Sequence, residues 1–348
     1  MTALTLQRPD DPGTVTVSGS RRRLIGLIVA LIVLVALLVA SVMIGSTAIT
    51  PAVVWNALFH PSDDIDQFAI RDFRLPRTIV GLVVGTALGV GGALIQALTR
   101  NPLADPGILG VNAGASFAVT VAVGLFGFRD IQSYMWFAFA GALIVTLMVL
   151  ALGSTRRGQS PVMMVLAGVC VGAVLGGAGS ALELTNPDAF DAMRSWNAGS
   201  IVSRPLDLVW PILPFFAIAL LLAFAVSGPL NAMALGDELA VAQGVRLVRT
   251  RILAIVALTL LAGGATAIAG PIGFVGLMVP HVARWIVGPH QRCIFAYSAL
   301  LAPSLLLASD ILGRVVMRPG EIPVGIVTAF VGAPVLIALV RQKKASGL

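Results

Sequence analysis

Ten apolar stretches follow one another along the chain, at about residues 24–45, 78–98, 108–127, 135–153, 161–184, 208–227, 252–269, 271–287, 295–312 and 322–340. A helix needs roughly 20 mostly apolar residues to cross a bilayer, and most of these windows reach that length. Hydrocarbon offers no partner for backbone N–H and C=O groups, so a chain of this kind folds as a bundle of spanning helices. Composition agrees, since 57% of the 348 residues are hydrophobic and only 11% are charged, values foreign to soluble domains. The sequence predicts an all-α polytopic membrane protein of about ten transmembrane helices occupying residues 21–344. Residues 1–20 read as a disordered cytoplasmic tail, and 345–348 as a short C-terminal tail.

The loops set the orientation. Arg21, Arg22, Arg23, Arg156, Arg157, Arg246, Arg249, Arg251, Arg341, Lys343 and Lys344 fall on one side of the ten segments, and most carboxylates, including Asp63, Asp64, Asp66, Asp188, Asp310 and Glu321, fall on the other. The positive-inside rule then puts both termini in the cytoplasm. The formal charge of +7 reports orientation, and no nucleic-acid partner is implied. Arg21 to Arg23 before an apolar run resembles a signal peptide, but a run of about 22 residues is too long for one, which predicts an uncleaved first span.

Enzymatic chemistry finds no foothold. Cys170 and Cys293 imply no disulfide framework, and His60, His281 and His290 stand far apart without ligand spacing, so no metal site is expected. No glycine-rich loop ends in Gly-Lys-Ser/Thr, and no paired carboxylates occur within a span, so neither nucleotide binding nor a proton relay is expected. No catalytic residue and no directly bound cofactor are predicted. If the protein moves a solute, the energy comes from elsewhere; a channel or an ion-driven secondary carrier is the rival class.

Several local features are more specific. Arg74 and Arg77 flank Leu75 and Pro76 at one end of the second segment, and Asn101-Pro102-Leu103-Ala104-Asp105-Pro106 forms a proline-punctuated turn at the other. The arginines suit a carboxylate partner; snorkelling at a helix end or pairing with Asp72 fits equally. Asp310 and Arg314, at i and i+4, suit mutual pairing. Gly81, Gly85 and Gly89 make a small-residue stripe, extended by Gly91 and Gly92, that predicts close helix packing. The run from Gly270 to Gly276 predicts a break, read as an external turn or as part of a translocation path. Between the sixth and seventh segments, residues 235–245 read as a short amphipathic helix. Leu235, Leu239 and Ala242 share its apolar face, Asp237 and Glu238 stand near its start, and Gly244 caps its end. It suits a membrane-surface helix or one docked into a soluble partner.

These pieces together resemble the FecCD family, the permease subunits of ATP-binding-cassette importers for ferric siderophores, heme and cobalamin. The resemblance runs from Arg74 to Arg341 through Arg74-Leu75-Pro76-Arg77, Gln96, the Asn101 to Pro106 turn, Leu109-Gly110, Gly114-Ala115, Trp196 with Gly199-Ser200, the 235–245 helix, Gly270 to Leu277, Pro280-His281 with Arg284, Asp310 with Arg314, Glu321 with Pro323, and Gly332-Ala333-Pro334. The stretches around Asn101 and near the C-terminus are most similar to ferric enterobactin permeases. The family's Gly-Pro-Asp-His-Arg turn appears here as Gly288-Pro289-His290-Gln291-Arg292, a departure at an expected inner turn.

The resemblance implies a type II importer fold and a permease in the bacterial cytoplasmic membrane that pairs with a second, paralogous permease subunit. It also implies two ATPase subunits, which hydrolyse ATP with magnesium, and a substrate-binding lipoprotein. Arg74, Arg77 and Arg314 then match arginines that dock the binding protein. Leu235, Gly236, Leu239, Ala240, Ala242 and Gly244 match an ATPase-coupling helix, and Asn101 and Leu103 match a cytoplasmic gate. The implied cargo is a ferric catecholate siderophore of enterobactin type, with another ferric siderophore, heme or cobalamin as alternatives.

Overall fold

The structure, a computed structural model, describes residues 17–45, 49–60, 62, 64–155, 158–159 and 161–341. Most of the expected N-terminal tail and all of 345–348 lie outside that set. The first helix begins at Val17, within the expected tail.

Ten apolar helices coincide with the ten segments. Seven are long: α1 (Val17–Met43), α4 (Leu75–Thr99), α6 (Ile131–Gly153), α7 (Pro161–Thr185), α9 (Leu213–Ala234), α11 (Leu247–Ala269) and α13 (Gln291–Val316). Three are shorter: α5 (Val111–Gly124), α12 (Val275–Val287) and α14 (Val324–Arg341). Four helices lie between them: α2 (Pro51–Phe59), α3 (Ile65–Phe68), α8 (Pro187–Trp196) and α10 (Asp237–Ala242). A two-residue antiparallel ribbon, Ser154–Thr155 with Gly158–Gln159, closes the turn after α6.

Small side chains decide which helices are central. In α4 and α11, 78% of the most apolar window is buried, against 22% in α1 and 17% in α7, so the first two form the axis and the last two the rim. The glycine stripe of α4 packs as expected. A Cβ on Gly85 would stand 2.4 Å from Pro303 Cα, and one on Gly89 would stand 2.6 Å from the Ser298 carbonyl, both on α13. Gly114 of α5 and Gly141 of α6 repeat the device: a Cβ on either would meet the other's carbonyl within 2.4 Å. Close backbone approach is how helices associate where lipid is as apolar as leucine.

The two shortest spans follow irregular backbone. The 14 residues of α5 reach about 21 Å at about 1.5 Å per residue, short of a full crossing. Before it lie the segment 100–110 and its 3₁₀ turn Pro106–Leu109, with Pro106, Leu109 and Gly110 buried. Before α12 lies the expected break, and it is a braced junction more than an external turn. Ser200 N–H donates to the Ala269 carbonyl at 2.7 Å, Gly325 N–H donates to the Gly199 carbonyl at 2.9 Å, and Gly270 and Ile272 are buried while Gly273 is exposed. Gly270 takes φ 72° with the Trp196 carbonyl 2.3 Å from where its Cβ would be, so no other residue fits there.

Candidate functional sites at the two ends of one helix

α4 carries the notable side chains at both ends. It is longer than the sequence suggests, because α3, a π-helical turn Ala69–Arg74 and α4 join into one helix of 35 residues, Ile65–Thr99. The π turn sits at the arginines, a common place for such a bulge beside a functional site.

At the N-terminal end of α4, guanidinium groups gather on the end of α1. A helix terminus leaves its last carbonyls without partners and carries partial negative charge. Arg314 donates to the carbonyls of Ser41 (2.8 Å) and Ile44 (2.7 Å), Arg74 to those of Val42 (3.1 Å) and Met43 (2.9 Å), and Arg318 to that of Gly45 (3.1 Å). Five successive carbonyls are thus capped by arginine. The carboxylates behind them organise the rest. Asp310, fully buried, accepts from Arg77 at 2.6 Å and from Arg314 at 2.7 Å, and Glu321 accepts from Arg77 at 2.5 Å.

The expected Asp310–Arg314 pairing is therefore present. Asp72 is not the carboxylate that holds Arg77; Asp310 and Glu321, from α13 and the segment before α14, hold it instead. Arg74, Arg77 and Arg314 are each at most 7% exposed. They nonetheless line a cavity of about 360 Å³ with Gly45, Phe73, Ser203 and Glu321. The contribution of Arg318 and of the α1 carbonyls escapes sequence reading, because a backbone acceptor leaves no residue signature.

Near the C-terminal end of α4, α10 spans Asp237–Ala242, shorter than the expected 235–245, with Leu235 and Gly236 in the turn from α9. Its end is a Schellman cap: Val245 N–H donates to the Ala240 carbonyl and Gly244 N–H to that of Val241, each at 2.9 Å, with Gly244 at φ 83°. Ala240 is buried against the bundle. Leu235, Leu239, Val241 and Ala242 are exposed, and Leu239 is 55% so. The expected apolar face thus exists and points away from the protein.

Asp237 accepts from Arg100, the residue after α4, and from Arg251 of α11 at 2.6 Å. Partial burial raises its pKa, hydrogen bonds from Arg251 and Arg100 lower it, and the bonds prevail, so it lies below the ordinary carboxylate value. A depressed pKa means that the contribution of these pairs is present above the unfolded carboxylate range and is lost as pH falls through the folded value. They are intact at neutral pH.

Asn101, next to Arg100, accepts Leu103 N–H at 2.9 Å, and Leu103 is 44% exposed. Asn101 borders a cavity of about 160 Å³ between the end of α4 and the start of α7. Opposite charges in loops on one side of the membrane were the available sign of the Asp237 pairs.

The fold matches a solved metal-chelate type ABC transporter in an inward-facing conformation, with a TM-score of 0.80 and 27% identity over 91% of this chain and 98% of that one. The protein thus has the fold of an ABC transporter permease. Residues 32–342 match the FecCD transport family model, and the chain belongs to that family. It is 48% identical to the ferric enterobactin transport system permease protein FepD of Escherichia coli K12, over 92% of this chain and 96% of the relative. It is 38% identical to the Fe(3+)-citrate import system permease protein YfmD of Bacillus subtilis 168, over 93% and 96% respectively. A probable siderophore transport system permease of the same bacterium, YfiZ, is 35% identical over 91% and 95%.

Proposed function

We propose that this chain is the membrane-spanning subunit of an ATP-driven importer that carries a ferric siderophore, of the catecholate type exemplified by enterobactin, into the cytoplasm. The observation that carries the reading is α10: an exposed apolar face beside the basic loops of a FecCD permease. A separate pair of ATPase subunits docks there and supplies the energy. A second, paralogous permease subunit completes the path, and a binding protein delivers cargo at the outer end. Both termini are cytoplasmic in this reading, and the charge asymmetry of the loops supports it. The 48% identity to a ferric enterobactin permease favours a catecholate over heme or cobalamin.

The test is uptake of radio-iron-labelled ferric enterobactin by proteoliposomes holding the chain with its partner permease, ATPase and binding protein. Uptake is expected to stop when the ATPase loses its catalytic carboxylate. Uptake that persists on an ion gradient alone would make the chain a secondary carrier.

Coupling follows from the exposed face. Leu239→Asp places a charge where an apolar contact forms, which costs on the order of several kcal/mol unless the charge finds a partner. ATP hydrolysis without uptake, or loss of ATPase copurification, is the expected result. Normal uptake with normal copurification would remove α10 from the ATPase interface.

Docking at the outer end uses Arg74, Arg77 and Arg314, which line one cavity beside Glu321. A carboxylate from the binding protein enters the arginine-lined cavity. Arg74 is the cleanest probe, because neutralising Arg77 or Arg314 leaves Asp310 short of a partner. Arg74→Gln is expected to weaken binding-protein affinity by at least about tenfold, somewhat less than the roughly 2 to 5 kcal/mol lost at a truncated buried charge pair, and to flatten its salt dependence. Equal affinity for wild type and variant at two ionic strengths would leave Arg74 with a structural role, such as capping α1.

A further inference from the structure

We infer that Asp237 is a positioning residue that ties the motion of α10 to the segment starting at Asn101. The inference rests on the reading of α10 as the ATPase-contacting helix. Each oxygen of the carboxylate goes to a different helix: Oδ1 accepts from Arg100 at the end of α4, and Oδ2 from Arg251 near the start of α11. Three elements therefore meet at one side chain on the first residue of α10, and α4 comes to it from 137 residues away.

The covalent connection to α10 is a poor transmitter by comparison. It runs through Gly236, whose φ of 118° lies where only glycine rotates freely. Beyond Gly236, α10 is held by the buried Ala240, by the Asp237 pairs and, through the turn at Gly244 and Val245, by the start of α11. A push on its outer face reaches α11 also through the chain, but it reaches α4 most directly through the pair with Arg100.

Arg100 is well placed to pass such a push on. Its backbone is left-handed, with φ 52° and ψ 31°, and it closes α4 by donating its N–H to the Gln96 carbonyl. A non-glycine residue holds that conformation only when its surroundings enforce it. Asn101 follows directly, with its N–H on the same Gln96 carbonyl at 3.2 Å and its side chain folding the chain back to Leu103. The direction in which Asn101 to Leu103 leaves α4 is thus set at the residue that Asp237 grips.

Stability is a weak reason for this arrangement. The side chains of Arg100, Asp237 and Arg251 are 38%, 40% and 21% exposed, and pairs so wet contribute little to folding. What the geometry provides is registry between α10, α4 and α11.

The test uses the assembled transporter in proteoliposomes, with labelled ferric enterobactin uptake and phosphate release measured together. Asp237→Asn and Arg100→Gln are each expected to lower uptake per ATP by about fivefold or more, the scale of a modest coupling energy, with the ATPase still bound. The double variant is expected to be no worse than either single one, as for two residues acting as one unit, and Asp237→Glu to retain most coupling. A mere helix-end acid at Asp237 predicts instead that Arg100→Gln transports normally, or that the two losses multiply; either result overturns the inference. If Asp237→Asn sheds the ATPase, Arg100→Gln decides alone, since it lies outside α10. Absence of ATP-dependent uptake by the wild type would sink the importer reading itself, before any variant is compared.

Discussion

Asp310→Ala is expected to cost about 3 to 5 kcal/mol, the loss typical when one partner of a buried ion pair is removed and the other charge is left behind. Asp310 is fully buried, and so, nearly, are the side chains of Arg314 and Arg77. Two guanidinium groups would therefore lose their shared acceptor in a place where water replaces it poorly. Glu321 still pairs with Arg77, so the burden falls on Arg314. The damage should be local first, because Arg314 also caps Ser41 and Ile44 and so binds the end of α1 to α13. At its other end α1 is held by Tyr297, whose hydroxyl donates to the Arg23 carbonyl at 2.6 Å. A lower thermal midpoint of the detergent-purified protein, with early proteolysis near residue 45, is the expected signature. Replacing Asp310, Arg77 and Arg314 together by apolar residues of similar size should recover only part of the loss. Such a swap removes the unpaired charge, but it also uncaps the carbonyls of α1. An unchanged midpoint for Asp310→Ala would mean that water reaches these arginines freely.

What could be read in advance follows physical range. The ten spans and the glycine contacts were legible because they depend on local composition and spacing: Gly81, Gly85 and Gly89 mark one face of α4 whatever lies opposite. The break at Gly270 was legible because a glycine-proline run interrupts any helix. Its burial was not, since that depends on Gly199 and Gly325, which arrive from distant parts of the chain. The same limit applies to Arg77, for which Asp72 was the near candidate and Asp310, 233 residues away, the partner found. Helices α2 and α3 were missed because nine- and four-residue elements carry little periodicity. For α10, the apolar face was evident from spacing, while its true start at Asp237 depends on a glycine turn.

The joined helix Ile65–Thr99 gives these separate features a common mechanical frame. Its N-terminal part holds the arginine cluster, its middle is packed on α13, α11 and α12, and its C-terminal end carries Arg100 and the turn at Asn101. Events at the two membrane faces are therefore connected by one rigid, centrally buried rod. How firmly that rod is seated depends on its glycines, and two neighbours make the point testable.

Gly92→Ala is expected to destabilise the protein by about 3 kcal/mol or more, the upper range for overpacking, whereas Gly91→Ala, one residue away, is expected to be neutral or slightly stabilising. A Cβ on Gly92 would lie 1.8 Å from the Gly276 carbonyl oxygen and 2.4 Å from its carbon, so backbone meets backbone and no side chain can turn aside. Relief requires α4 and α12 to separate. Separation would in turn stretch the bond from Gln96 to the Leu277 carbonyl, now 2.9 Å, and disturb the junction before α12. On Gly91 the same methyl group would meet Leu258 and Leu261 of α11 at 3.7 Å, an ordinary contact. There, alanine gains the roughly 0.5 to 1 kcal/mol by which it exceeds glycine as a helix former. Thermal midpoints of the two variants in detergent should fall on opposite sides of the wild type, or nearly so. Equal midpoints would show that the α4–α12 contact is looser than its geometry implies and that α4 is free to shift against α12.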